Sequence, residues 1–129
     1  MIQRIQSAYL LLVAVLMTVM FFLSLSKENI VESYYSVFFA INGLTALFAV
    51  FLFKNRKLQM KVTWIPILIS FGLFFSFVFS LLKSMKFDSE PVYIVFFMLI
   101  PLIAALLALG ALLAIRKDEK LVRSLDRLR

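Results

Sequence analysis

The predicted fold class is an all-α membrane protein: an up-and-down bundle of four transmembrane helices with a short basic amphipathic C-terminal helix. Three observations predict it. Of the 129 residues, 64% are hydrophobic and 16% charged, against roughly 45 to 50% apolar in soluble chains; with a mean hydropathy of +1.02, too few polar side chains exist to cover a water-facing surface. Every Lys, Arg, Asp and Glu falls outside four windows, 5–26, 33–53, 62–82 and 91–115. The connections left, 27–32, 54–61 and 83–90, are so short that only antiparallel hairpins fit them. Residues 1–129 therefore read as a single four-helix membrane domain with a tail, 116–129.

Each window holds at least 21 residues, and at about 1.5 Å of rise per residue roughly 20 suffice to cross a hydrocarbon layer about 30 Å thick. The runs of Leu, Val, Phe and Ala lack the alternating polarity of barrel strands, so the backbone must be satisfied within helices. The first window resembles an uncleaved signal anchor. Ser24-Leu25-Ser26 has the small-x-small form of a cleavage site, but the apolar stretch before it exceeds the roughly 7 to 15 residues of a signal-peptide core, so retention is expected. Tyr9 and Trp64 are placed near one membrane face, and Tyr34, Tyr35 and Tyr93 near the other, as interfacial rings should be.

Small and polar residues recur at helical spacing in every span: Ser7, Ala14 and Thr18; Asn42, Thr45, Ala46 and Ala49; Gly72, Ser76 and Ser80; Ala104, Ala108 and Ala111. Such stripes let helices approach closely in lipid, either as the bundle interior or as a seam between copies. Asn42 is the most polar side chain well inside a span and needs a hydroxyl partner, for which Thr18, Ser76 and Ser80 are the candidates. Pro101 deprives the Phe97 carbonyl of its donor and predicts a kink in the fourth helix, whereas Pro66 is placed in the first turn of the third. A weak repeat, Tyr35-Ser36-Val37-Phe38-Phe39 against Tyr93-Ile94-Val95-Phe96-Phe97, opens the second and fourth helices.

Charge sets the orientation. Arg4, Lys54, Arg56, Lys57, Lys61, Arg116, Lys117, Lys120, Arg123, Arg127 and Arg129 lie on the face holding both termini and the middle connection; Lys27, Lys83 and Lys86 lie opposite. With connections this short the positive-inside rule puts both termini in the cytoplasm and assigns most of the net charge of +7 to topology, not to nucleic acid. No Cys or His is present, and no Asp, Glu, Lys or Arg lies inside a span, although proton relays and coupled transporters are marked by such groups. Catalytic, metal and cofactor-binding residues are all expected to be absent, and the protein is not expected to be an enzyme.

In the tail, Leu121, Val122, Leu125 and Leu128 fall on one helical face and Arg116, Lys120 and Arg127 opposite. Glu119 with Arg123, Arg123 with Asp126, and Asp126 with Arg129 are spaced to pair. Two readings stand: a solvated extension of the fourth helix that anchors it by attraction to anionic lipid, or a helix that docks on a protein.

The opening MIQRIQSAYLLLVAVL, the middle FLFKNRKLQMK and the ending IRKDEKLVRSLDRLR resemble the hallmark segments of the bacterial integral-membrane family called domain of unknown function 4293. The resemblance implies a four-helix inner-membrane protein of Gram-negative bacteria. It implies no activity, so no catalytic residue is carried over. The connection 27–32 is shorter than the family's usual first extracytoplasmic loop, which argues against an outward-facing binding role.

The expected function is a small structural or accessory protein of the inner membrane. Its cytoplasmic interaction face comprises Lys54, Arg56, Lys57, Lys61, Arg116, Lys120, Leu121, Arg123, Leu125, Arg127 and Leu128. The competing expectation is a non-catalytic binder or passive carrier of a lipid-like molecule, held in an interior site of Asn42, Thr18, Ser76, Ser80 and Pro101. Expected partners are the bilayer with its anionic lipids and a membrane or cytoplasmic protein.

Overall fold

The computed structural model describes residues 2–26, 33–84 and 91–129. Four helices make up nearly all of them: α1 (Ile2–Ser26), α2 (Ser33–Phe51), α3 (Arg56–Ser84) and α4 (Pro91–Arg127), with a 3₁₀ turn, Leu52–Lys54, between α2 and α3. The connections 27–32 and 85–90, and the side chains of Arg4, Lys27, Lys86 and Tyr93, to which the sequence assigned membrane faces, lie outside the described residues.

Each helix packs on its neighbours in sequence, and α4 closes back on α1, giving a four-membered ring. Val13, Met17 and Met20 of α1 meet Tyr35, Phe39 and Ala46 of α2, Ile67, Leu73 and Phe77 of α3, and Phe97, Ala104, Ala108 and Leu112 of α4. The core is graded. One half is aromatic, with Phe77 stacked on Tyr35 at 4.5 Å and on Phe39 at 6.3 Å, and Phe97 beside both phenylalanines. The other half, toward the chain termini, is built on Ala14, Ala49, Ala104, Ala108 and Ala111, so there the helices meet across methyl groups. Gly43 extends this close approach. A Cβ there would lie 3.5 Å from Met17 Cβ and 3.7 Å from the Ala14 carbonyl, bringing α2 against the α1 backbone.

Outside the ring the surface is apolar. Phe22, Leu44, Phe51, Leu68, Phe75 and Leu113 are all exposed, and at most 39% of the most apolar window of any helix is buried by the others. An apolar belt on all four helices is matched by acyl chains and by nothing in water. All four helices are long and apolar enough to cross a membrane; the chain is a multi-pass membrane protein.

Two expectations about the elements need correction. The middle connection is not an eight-residue loop: α3 begins at Arg56, and Asn55 alone separates it from the 3₁₀ turn. Residues 56–61 are Arg, Lys, Leu, Gln, Met and Lys, all good helix formers, so charge there marks the edge of the hydrocarbon without ending the helix. In consequence Pro66 lies ten residues inside α3 and, like Pro101 in α4, is a buried proline in a helix interior. The basic amphipathic segment continues α4, as the reading of it as an extension of the fourth helix expects; α4 runs unbroken through Pro101 to Arg127.

Candidate functional site

The α2–α3 corner is built by Asn55. Its N–H donates to the Leu52 carbonyl (2.9 Å), its carbonyl accepts from Gln59 N–H (2.9 Å), and its Oδ1 lies 3.4 Å from Leu58 N at the start of α3. Beneath it Gln59, almost fully buried, donates from Nε2 to the Ala49 carbonyl at 3.0 Å. Ala49 is in the last turn of α2, where carbonyls lack α-helical donors, so one side chain both satisfies an exposed end and ties α3 to α2. Two further pins act at the same end of the bundle. Buried Gln6 donates to the Ala114 carbonyl (3.1 Å), joining α1 to α4. Arg56 Nε sits 3.3 Å from Asp118 Oδ2, an ion pair without hydrogen-bond geometry that joins α3 to α4.

This divides the basic face. Arg56 is half-buried and committed to Asp118, so it belongs to the scaffold more than to a free surface. Arg123 pairs with Glu119 at 2.6 Å, as the spacing predicted. The Arg116 guanidinium lies 5.8 Å from the centroid of the Trp64 ring, a cation–π contact at the end of the span. Lys54, Lys57, Lys61, Lys120 and Arg127 are exposed.

The end of α4 has two working faces. Glu119, Val122, Arg123 and Asp126 turn toward the corner and, with Phe53, Lys54, Asn55, Arg56 and Lys57, bound an open groove of about 690 Å³. Val122 thus leaves the apolar stripe predicted for it. Leu121, Leu125 and Leu128 form a separate leucine edge that is 46%, 64% and 85% exposed.

The interior polar residues do not converge. Asn42 is fully buried, and its Nδ2 donates to Ser70 Oγ at 2.7 Å, not to any of the three hydroxyls predicted. Thr18 is exposed and bonds back to the Ala14 carbonyl (2.8 Å). Ser76 and Ser80 both meet the Tyr35 hydroxyl, at 2.8 and 3.4 Å. Tyr35 stands beside Tyr34 in the first turn of α2, its ring buried among the helices while that of Tyr34 is exposed. Phase explains the misplaced partner of Asn42: Ile67, Ser70, Leu73 and Phe77 are the buried face of α3, whereas Gly72 lies outward, where a Cβ would meet nothing within 4 Å.

Two apolar notches of about 240 Å³ open on the lipid side, one lined by Tyr34, Tyr35, Phe38, Gly72 and Ser76, the other by Thr18, Phe22, Gly43 and Leu44. Neither includes Asn42 or Pro101. Sequence reasoning also missed Ser24, which donates to Ser36 at 2.9 Å between α1 and α2, and the buried Gln6, Gln59 and Asp118. Gln6 and Gln59 lie on the helical phase of Val13 and Thr63, a signal available in the periodicity.

A family model described as Domain of unknown function (DUF4293) matches residues 25–128. The match takes in the middle and closing segments of the resemblance and leaves the opening one outside. No curated protein and no solved structure matches the chain.

Proposed function

We propose that this chain, which belongs to the family Domain of unknown function (DUF4293), is a non-catalytic accessory protein of the bacterial inner membrane that docks a partner protein through the end of α4. Both termini and the α2–α3 corner face the cytoplasm in this reading, supported by the crowding of Lys and Arg on that side. The observation that carries it is the leucine edge. Leu121, Leu125 and Leu128 are exposed on a stretch of α4 beyond the uncharged window 91–115, where the bundle leaves them uncovered. Lys117 borders it on one side, with Lys120 and Arg127 farther round the helix, so the complementary partner is a helix or groove with an apolar strip bordered on one side by carboxylates.

Copurification in mild detergent tests the reading. Leu125→Asp or Leu121→Asp should abolish recovery of a stoichiometric partner, because apolar anchors dominate helix-in-groove recognition, whereas single substitutions of Lys120 or Arg127 should weaken it modestly. Deleting residues 121–129 with no change in growth, protein level or copurification would defeat the docking proposal.

A further inference from the structure

The groove between the α2–α3 corner and the end of α4 carries charge that its own ion pairs leave over. Of the four cations on its walls, Arg123 is closed on Glu119 and Arg56 is drawn to Asp118. Lys54 and Lys57 are exposed, and among the described residues neither lies within salt-bridge distance of a carboxylate. Asp126 is the remaining lining carboxylate, so two free ammonium groups face one free acid. The walls also include Phe53 and Val122, and Phe53 is 48% exposed.

Position narrows the occupant. Phe53 is the last residue of the uncharged window 33–53 and Lys54 the first cation after it, which sets the groove at the rim of the hydrocarbon, in the headgroup layer. Its volume of about 690 Å³ falls within the ~300–1,000 Å³ usual for small-molecule sites. We propose that the groove binds the headgroup of an anionic phospholipid, its phosphate held by Lys54 and Lys57 and its acyl chains running up beside Phe53. A free phosphate ester would satisfy the two lysines equally; the apolar wall at bilayer depth is what selects a lipid. The site does not involve the leucine edge and stands or falls independently of the docking proposal.

The test is retention of phosphatidylglycerol by the full chain, purified from mixed phosphatidylglycerol and phosphatidylcholine micelles and read by native mass spectrometry. Each lysine near an anionic headgroup contributes about fivefold, so Lys54→Ala with Lys57→Ala should lower the retained phosphatidylglycerol about twenty-fivefold. Asp126→Asn should raise it several-fold, a gain that misfolding cannot imitate. Lys83→Ala, at the other end of α3, and Leu125→Asp, on the leucine edge, should leave it unchanged. Parental retention in the double lysine variant, or an equal loss with Lys83→Ala, would overturn the site. Displacement of the lipid by glycerol phosphate at matched concentration would overturn the choice of a lipid over a soluble anion.

Discussion

Asn42 and Ser70 show how little a buried amide needs in order to be useful in a membrane. The Asn42 Nδ2 is satisfied at 2.7 Å, while its buried Oδ1 has no partner among the described residues. Removing the serine strands the whole amide. Ser70→Ala should therefore cost about 1 kcal/mol, yet cost nearly nothing in an Asn42→Leu background. A double-mutant cycle in denaturing detergent should return a coupling of about 0.6 to 1.7 kcal/mol, the range found for such pairs; zero coupling would mean that the bond does not help hold α2 to α3. Gln59 makes a sharper case, since it serves a carbonyl at the end of α2. Gln59→Leu should lower stability by about 1–3 kcal/mol, while Lys57→Ala, on the exposed side of the same turn, should stay within about 0.5 kcal/mol. Equal effects would show that the corner is not pinned as described.

At the scale of the element, the extension of α3 and α4 beyond the apolar windows makes its own prediction. Spin labels placed singly along 116–128 should report water accessibility with a period near 3.6 and minima at Asp118, Glu119 and Val122. A flat, uniformly wet profile would dissolve the tail helix and the groove with it. The four spans were legible in the sequence because hydrocarbon tolerates no charge, and the absence of charge is directly visible. Helix ends were not. Residues 56–61 and 116–127 are charged without being loops, since Lys, Arg, Glu and Gln favour helix once the headgroups are passed. Leu121, Leu125 and Leu128 were legible because periodicity is local; the groove was not, because Lys54 and Arg123 come to line one groove only through the way α4 packs against the α2–α3 corner. The Asn42 site was misassigned for the same reason: residue type alone could not tell Ser70 from Ser76, and only the phase of Ile67, Leu73 and Phe77 does so.

For the whole molecule, the ring of antiparallel helices puts the N-terminal end of α1, the α2–α3 corner and the end of α4 on one side. Reporter fusions after Lys57 and after Arg129 should both read cytoplasm, and one inserted between Lys83 and Glu90 should read periplasm. A periplasmic reading at Arg129 would reverse the orientation and with it the proposed docking side. The length of α4 also bears on what its charges can sense. Arg127 lies eleven residues beyond Arg116 on one continuous helix, about 16 Å along the axis, and a tilt of about 20° shortens that only slightly. The Debye length at physiological ionic strength is about 8 Å. Arg116 therefore experiences the surface potential of an anionic leaflet, whereas at Arg127, two screening lengths out, only about one-seventh of it remains. The last turn of α4, at Arg127 and Leu128, is thus screened from the leaflet that the groove residues nearer Arg116 still sense, so one continuous helix carries charges that answer to the bilayer at its base and to the solution at its tip.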